Sequence, residues 1–106
     1  LPWWDKPAQP CLASRIPFGE EISSKRLEQI ALAEEWIINQ GFTKVRVRSQ
    51  GLSARIELPA NEIDNFLRIV ERNQLIKYFL YLGFQTVSLD LEGLISGKLT
   101  RDVKIK

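Results

Sequence analysis

Two neighbouring stretches of alternating apolar and polar residues constrain the fold of this chain most strongly. They span residues 42–49 and 52–58, and Gln50-Gly51 separates them as a turn signal. Alternation with a period of two is typical of β-strands that have one buried face. The sequence therefore predicts a β-hairpin. Its outer face would carry four charged side chains, which are Arg46, Arg48, Arg55 and Glu57.

Apolar residues at helical spacing predict helices on both sides of this hairpin. Ser23 or Ser24 is expected to cap a helix that runs to about Gln40. A second helical region is expected after a cap at Asn61, and it carries two apolar stripes that are out of register. The stripes are Ile63, Phe66, Leu67 and Val70, followed by Ile76, Phe79, Leu80 and Leu82. We therefore expect two helices, or one kinked helix, with the break near Arg72-Asn73, and we expect Gly83 to end the region.

A third strand is predicted over residues 86–92, with Val87, Leu89 and Leu91 on its inner face. The tail that follows is basic and has a weak strand pattern at Val103 and Ile105. These elements predict an α+β fold, which is an α/β two-layer sandwich. About three strands would form a small sheet, with two to three helices on one face.

The domain organisation is read from the two ends of the chain. Residues 1–21 are interpreted as an irregular N-terminal arm that carries the Cys11 loop, and residues 22–106 as a single α/β domain. Because the chain begins with Leu1 and not with Met, we interpret it as a fragment of a longer protein or as a processed chain.

Composition excludes several classes of function. The net charge is only +2, which does not indicate a nucleic-acid partner, and no apolar run approaches the roughly 20 residues that span a bilayer. The chain has no histidine, so a metal would need carboxylates or the one thiolate. A single cysteine forms no internal disulfide and suits a reducing compartment, so we expect a cytoplasmic protein.

The one cysteine, Cys11, lies in a stretch with three prolines, Pro7, Pro10 and Pro17. Prolines disfavour a regular helix or a central strand, so a loop is expected. Arg15 follows closely, and a nearby cation increases the thiolate fraction of a cysteine. Cys11 is thus either a reactive thiol or a small, half-buried apolar residue.

Two further features also have a structural and a functional interpretation. Glu34 lies within the apolar stripe of the first helix, so it is either a carboxylate at the edge of that stripe or one directed into a site. The arginines of the hairpin form either a solvated sheet surface or a small anion site, because guanidinium groups bind carboxylate and phosphate oxygens bidentately.

Several segments together resemble one enzyme family. They are Cys11-Leu-Ala-Ser14-Arg15-Ile-Pro17, Val45-Arg46-Val47-Arg48, Ala54-Arg55-Ile56-Glu57, Leu89-Asp90-Leu91-Glu92-Gly93 and Ser96-Gly97. The chain resembles the C-terminal part of the ATP-dependent sacrificial sulfur transferases of the PP-loop superfamily, which make the nickel-pincer cofactor of lactate racemase. The resemblance covers nearly the whole chain.

This resemblance implies a reaction for the parent enzyme, although it leaves open whether this chain alone is active. Cys11 would be the sacrificial donor that transfers its sulfur to an adenylylated carboxylate of a pyridinium mononucleotide. The anion-binding residues would be Ser14, Arg15, Arg46 and Arg48. An acidic or metal site would be formed by Glu34, Glu57 and Asp64.

The resemblance also implies cofactors and partners. ATP and Mg²⁺ would be bound mainly by an upstream PP-loop domain, since this chain lacks the Ser-Gly-Gly-x-Asp-Ser loop of that family. An additional divalent metal and a homo-oligomeric parent are expected. An iron–sulfur cluster is not expected, because relatives that hold one use three cysteines and this chain has only Cys11.

Three interpretations stay open at this point. The chain is either this sulfur-transfer domain or a non-catalytic oligomerisation or regulatory module of a PP-loop enzyme. A stand-alone anion-binding domain is a third interpretation.

Overall fold

The structure is a computed structural model, and it describes residues 12–94 apart from the side chain of Ala13. Its elements in chain order are a 3-10 turn at Leu12–Arg15, α1 at Ser24–Ile38, β1 at Arg46–Gln50, β2 at Ser53–Glu57, a 3-10 turn at Ala60–Glu62, α2 at Ile63–Ile69, α3 at Arg72–Leu82 and β3 at Thr86–Leu89. The predictions made for Cys11 and for the tail at Val103 and Ile105 lie outside the described residues.

The predicted hairpin forms the centre of a mixed three-stranded sheet with the order β1-β2-β3. β1 and β2 are antiparallel, with Val47 opposite Ile56 and Arg48 opposite Arg55. β3 is parallel to β2, with Leu89 beside Ile56. Since parallel neighbours need a crossover connection, α2 and α3 carry the chain from the end of β2 to the start of β3. The predicted two-layer α+β fold is confirmed.

One apolar layer joins the helices to the sheet. Its fully buried members come from α1, β1, β2 and α3, and they include Ile37, Val47, Ile56 and Phe79. A smaller cluster of Leu12, Ile16 and Ile30 attaches the N-terminal turn to α1. Burial of such side chains stabilises a fold by roughly 1.5–3 kcal/mol for each residue. The segment that follows Cys11 is therefore packed against the body of the domain.

The ends of the helices follow the capping residues of the sequence. Ser23 is the N-cap of α1, and its hydroxyl accepts a hydrogen bond from the Arg26 N–H at 3.2 Å. Gly83 ends α3 with φ of 116°, a left-handed conformation that glycine adopts without a Cβ clash. Both ends lie where the sequence predicted them.

The second helical region differs from the prediction in its cap and its break. Asn61 does not cap α2, because a 3-10 turn occupies Ala60–Glu62 and the N-cap position is Glu62. The region does divide into two helices, but the break lies at Val70 and Glu71, whose backbones are extended. Glu71 then caps α3 by accepting hydrogen bonds from the Asn73 and Gln74 N–H groups.

Four residues that were expected to face the core are exposed, and one of them is Leu67 of α2, which is 62% exposed. Leu91 is 78% exposed because β3 ends at Leu89 and the chain turns, with the Gly93 N–H bonded to the Asp90 carbonyl at 3.1 Å. On α3, Leu75 and Phe79 are the buried pair, whereas Ile76 and Leu80 are 37% and 48% exposed. A narrow stripe of α3 thus packs on the sheet, and a second apolar stripe remains at the surface.

Within residues 12–94, none of the helices has the length and apolar character needed to cross a lipid bilayer.

Candidate functional site

The turn that follows Cys11 in the sequence is held by its own side chains. Leu12 and Ile16 are buried against Ile30 of α1, and between them the Leu12–Arg15 turn presents Ser14 at the surface. Arg15, the last residue of the turn, is only 5% exposed. Burial of a guanidinium is costly unless a carboxylate pairs with it, so its partner determines where the turn sits.

That partner is Glu34, the carboxylate inside the apolar stripe of α1. The Arg15 Nε lies 2.9 Å from the Glu34 Oε2, and the Nη2 lies 3.3 Å from the Oε1, so the pair is bidentate. The Oε2 also accepts a hydrogen bond from the Val47 N–H at 2.9 Å. Because Val47 belongs to β1, at the edge of the described sheet, Glu34 connects three elements: the N-terminal turn, α1 and the sheet edge.

The charged face of the hairpin is organised by a second buried carboxylate, Glu57. It is 3% exposed, and its Oε1 accepts from the Arg48 Nε at 3.0 Å. Its Oε2 accepts from the Arg55 Nε at 3.3 Å and lies 3.2 Å from the Nη2. One carboxylate thus orients two guanidinium groups, one from each strand of the hairpin. The Arg55 Nε also lies 3.9 Å from the Asp90 Oδ2, so two carboxylates accompany these two arginines.

The two clusters meet at the N-terminal turn. The Nη1 of Arg48 lies 3.3 Å from the backbone carbonyl of Ser14 and donates to it, and the Ser14 hydroxyl accepts from the Arg15 Nη1 at 3.2 Å. The structure therefore brings together five of the predicted site residues, which are Ser14, Arg15, Glu34, Arg48 and Glu57. Of the same set, Cys11 lies outside the described residues and is joined to this turn through Leu12 in the sequence.

Arg46 and Asp64 are placed differently from those five. Arg46 is the first residue of β1 and lies opposite Glu57 of β2. It is half-buried, and its guanidinium donates a hydrogen bond to the carbonyl of its neighbour Val45 at 3.0 Å. Asp64 is exposed in the first turn of α2, an element that packs on the preceding 3-10 turn. Within residues 12–94 the Asp64 carboxylate makes no hydrogen bond or ion pair with the arginine face. Arg46 thus extends that face, while Asp64 stands apart from it.

The acidic side chains do not fit a metal site in the arrangement described. Among residues 12–94 there is no group of three or more histidine, cysteine, aspartate or glutamate side chains that could hold a metal ion. Both oxygens of Glu34 and both oxygens of Glu57 accept hydrogen bonds from arginines. These carboxylates therefore form charge-assisted ion pairs with arginines, and their arrangement does not fit a metal site.

Sequence reasoning missed a third polar cluster at the other end of β1. Arg26 of α1 donates to the Ser49 hydroxyl at 2.9 Å and to the Glu20 carboxylate at 3.0 Å. The Gly51 N–H donates to the same Glu20 oxygen at 2.9 Å. That hydrogen bond, together with Arg26, lowers the pKa of Glu20 below its ordinary value against the opposing effect of desolvation. In the sequence, Glu20 lies three residues before the Ser23 cap, and this acidic residue was the signal available for predicting the cluster.

The fold and the arginine face define a small α+β unit suited to an anionic ligand, and the comparisons with known proteins are specific. No protein-family profile matches the chain. The chain is 38% identical over 96 residues to the pyridinium-3,5-bisthiocarboxylic acid mononucleotide synthase of Lactiplantibacillus plantarum, with 91% of this chain and 34% of that protein covered.

Two uncharacterized proteins are also similar to the chain. One, from Synechocystis sp., is 52% identical over 101 residues, which cover 95% of this chain and 38% of that protein. The other, from Methanocaldococcus jannaschii, is 34% identical over 87 residues, which cover 81% of this chain and 33% of that protein. The chain spans about a third of the length of the curated relatives it matches. Its relation to the synthase is confirmed, whereas membership of the PP-loop superfamily and a C-terminal position stay predictions.

Proposed function

We propose that this chain is the sulfur-donating part of an ATP-dependent sulfur transferase that acts on a carboxylate of a pyridinium mononucleotide. The observation that carries the proposal is the 38% identity to a synthase whose named product is a bisthiocarboxylic acid mononucleotide. A thiocarboxylate holds sulfur where a carboxylate holds oxygen, so its formation needs a sulfur source. This chain has one cysteine and no methionine, so the Sγ of Cys11 is its only sulfur atom.

The proposed chemistry runs in balanced steps. ATP adenylylates the substrate carboxylate and releases pyrophosphate, and the upstream part of the parent protein would bind this nucleotide. The Cys11 thiolate attacks the activated carbonyl carbon, and AMP leaves with its bonding electron pair, which gives a thioester. A base then removes the α-proton of Cys11, the Cα–Cβ double bond forms, and the Cβ–S bond breaks. The sulfur leaves as the thiocarboxylate, and Cys11 becomes dehydroalanine.

The described residues support this proposal through the position of the turn. Glu34 and Arg15 anchor the Leu12–Arg15 turn to α1 and to β1, and Arg48 binds the Ser14 carbonyl. Cys11 directly precedes this anchored turn in the sequence, and this proximity along the chain is what supports its proposed role as the donor. Positioning of a nucleophile against its target is a large part of catalysis, because it removes the entropic cost of the encounter.

The arginine face is the proposed binding surface for the anionic groups of the substrate. Arg48 and Arg55 share the Glu57 carboxylate, and Arg46 lies on the same face of β1. Guanidinium groups that are already oriented lose little entropy when they bind a phosphate or a carboxylate. In this arrangement Arg46 and Arg48 bind the mononucleotide, and Arg15 acts as a positioning residue through its pair with Glu34.

The experiment is an intact-mass measurement on the full-length parent protein after incubation with ATP, Mg²⁺ and the pyridinium dicarboxylate mononucleotide. We expect the loss of one H₂S equivalent, mapped to Cys11, together with thiocarboxylate product. The Cys11→Ala variant is the matched control, and it should show neither the loss of mass nor the thiocarboxylate product. An unchanged mass with product present would overturn Cys11 as the donor. An unchanged mass without product would favour the non-catalytic module.

A further inference from the structure

Arg48 of the arginine face is held by two groups that belong to different parts of the site. Its Nε donates to the Glu57 Oε1 at 3.0 Å, and its Nη1 donates to the Ser14 carbonyl at 3.3 Å. The Arg48 side chain is 31% exposed, whereas that of Glu57 is 4% exposed. Because a guanidinium group is a rigid planar fork, a bond that fixes the Nε also fixes the direction of both Nη groups. The Glu57 carboxylate thus sets the orientation in which Arg48 reaches Ser14.

Glu57 is itself held in a fixed position. Its other oxygen, Oε2, lies 3.3 Å from the Arg55 Nε and 3.2 Å from the Arg55 Nη2. Arg55 lies directly opposite Arg48 in the hairpin, and like charges at opposite positions repel each other. The Glu57 carboxylate binds both guanidinium groups and offsets this repulsion. A buried carboxylate with a guanidinium on each oxygen has little freedom to turn, so it is a fixed support for Arg48.

The same contacts argue against the role that the family resemblance implied for Glu57, which is membership of an acidic or metal site. Both Glu57 oxygens accept hydrogen bonds from guanidinium groups. A divalent cation on these oxygens would lie next to two positive charges, and they would repel it. Asp64, another member of the expected set, is exposed in the first turn of α2 and apart from this face. The surroundings of Glu57 therefore fit the support of cationic side chains.

We propose that Glu57 is a positioning residue, which holds Arg48 so that one guanidinium group binds the anionic ligand and also fixes the Ser14 carbonyl. This inference rests on the proposed function, in which Arg48 binds the mononucleotide. The guanidinium has further N–H donors besides the Nε–H that binds Glu57 and the Nη1–H that binds Ser14. These donors are directed by the same rigid fork, and they form charge-assisted hydrogen bonds with a phosphate or carboxylate of the ligand.

This role connects the ligand to the turn that follows Cys11 in the sequence. The Ser14 carbonyl belongs to the Leu12–Arg15 turn, which the pair of Arg15 and Glu34 also anchors. A change at Glu57 should therefore have two effects, one on the affinity for the anionic ligand and one on the position of the turn. A residue that only stabilised the fold would change the free energy of unfolding without this paired effect.

A double-mutant cycle on the full-length parent protein tests the proposal, with calorimetric titration of the pyridinium dicarboxylate mononucleotide in the absence of ATP. Glu57→Gln should weaken binding about tenfold, because the Arg48 guanidinium loses the charge that orients it. In the Arg48→Ala background the same change should cause no further loss, since Glu57 acts through Arg48. Glu28→Gln, the same substitution at an exposed position of α1, is the matched control and should leave the affinity unchanged.

Single-turnover sulfur transfer at saturating mononucleotide gives the second readout. Glu57→Gln and Arg48→Ala should both slow this step about tenfold or more, because small displacements of a nucleophile strongly reduce the rate. Glu57 is buried, so circular dichroism of its variant verifies the fold. Arg48→Lys is an independent test at a side chain that is 31% exposed. Lysine keeps the charge but lacks the Nε that pairs with Glu57, so binding should still weaken several-fold.

Three results would overturn the proposal. Additive losses of affinity for Glu57→Gln and Arg48→Ala would show that Glu57 acts independently of Arg48. Full affinity of Arg48→Lys would show that the pair with Glu57 is dispensable. Weaker binding of Mn²⁺ by Glu57→Gln, but not by Arg48→Ala, would identify Glu57 as a metal ligand. The proposed function fails separately, because sulfur transfer would then be absent from the unaltered parent even where the binding cycle gives the expected result. An unaltered parent that binds no mononucleotide would overturn both.

Discussion

Arg15 and Glu34 are 19 positions apart in the sequence, and their side chains form a bidentate ion pair with 5% and 8% exposure. The same carboxylate accepts a hydrogen bond from the Val47 N–H at the edge of the described sheet. Since a buried charge without a partner is strongly unfavourable, each side chain requires the other. The pair therefore fixes the turn that follows Cys11 relative to β1.

The first prediction concerns this pair. Glu34→Ala should lower the free energy of unfolding by about 3–5 kcal/mol, because it leaves the Arg15 guanidinium buried without a counter-charge. Glu34→Gln should cost less, since its amide oxygen still accepts from Val47. Urea denaturation measures both. Glu35→Ala, at the exposed neighbouring position, is the control and should change stability by less than about 0.5 kcal/mol. Similar losses at positions 34 and 35 would contradict the assignment.

The N-cap of α1 provides a second test of stability. Ser23→Ala should reduce the free energy of unfolding by about 1 kcal/mol, because the Arg26 N–H loses its hydrogen bond to the Ser23 hydroxyl. Ser24→Ala changes the same side chain one residue later, inside the helix, and should cause no loss. Thermal unfolding of the two variants in parallel gives the comparison, and a larger effect at Ser24 would show that the cap is misassigned.

Local sequence patterns predicted most of the fold. The hairpin follows from a period of two on either side of Gln50-Gly51. The observed pairing of Gln50 with Ser53 places the two-residue turn at Gly51-Leu52, one position later than predicted. The start of α1 and the end of α3 follow from Ser23 and Gly83, residues whose backbone preferences act within one turn. Such features depend on neighbours in the sequence, so they are accessible without the structure.

Features that depend on tertiary packing were not accessible in the same way. Glu34 in an apolar stripe indicated a buried carboxylate, yet nothing local identified Arg15 as its partner. The exposure of Ile76 and Leu80 depends on how α3 rotates over the sheet, and two apolar stripes on one helix leave that rotation undetermined. The preference for Asn61 as a cap was overridden by the 3-10 turn before α2.

The pH dependence of stability should depend on Glu20. Its pKa is lowered by the Gly51 N–H and by Arg26, so the folded state binds a proton at Glu20 less readily than the unfolded chain does. The stabilisation is therefore present above the unfolded-state pKa and is lost as the pH falls through the lower folded-state pKa. Glu20→Gln should flatten the acid side of the curve of urea midpoint against pH. Glu21→Gln, at an exposed position, should leave that slope unchanged.

Tyr78 should ionise at higher pH than a free tyrosine side chain. Burial raises its pKa, and the charges of Glu35 and of Tyr81 raise it further. The chain has two tyrosines, so Tyr81→Phe leaves Tyr78 as the only one. Ultraviolet difference absorbance of the phenolate should then show a midpoint above the ordinary value of about 10. Adding Glu35→Gln should lower this midpoint, and an unchanged midpoint would contradict the contribution of that carboxylate.

The arginine face leads to the prediction that bears most directly on function. Arg46→Ala or Arg48→Ala in the full-length parent should weaken binding of the pyridinium mononucleotide about ten- to hundredfold, since a charge-assisted hydrogen bond contributes roughly 1.5–3 kcal/mol. Lys44→Ala removes the same charge from an exposed position just before β1 and should have little effect. Calorimetric titration at two salt concentrations separates these cases. Equal weakening by all three variants would mean that overall charge attracts the ligand, whereas selective loss at Arg46 and Arg48 would place the anion on this face.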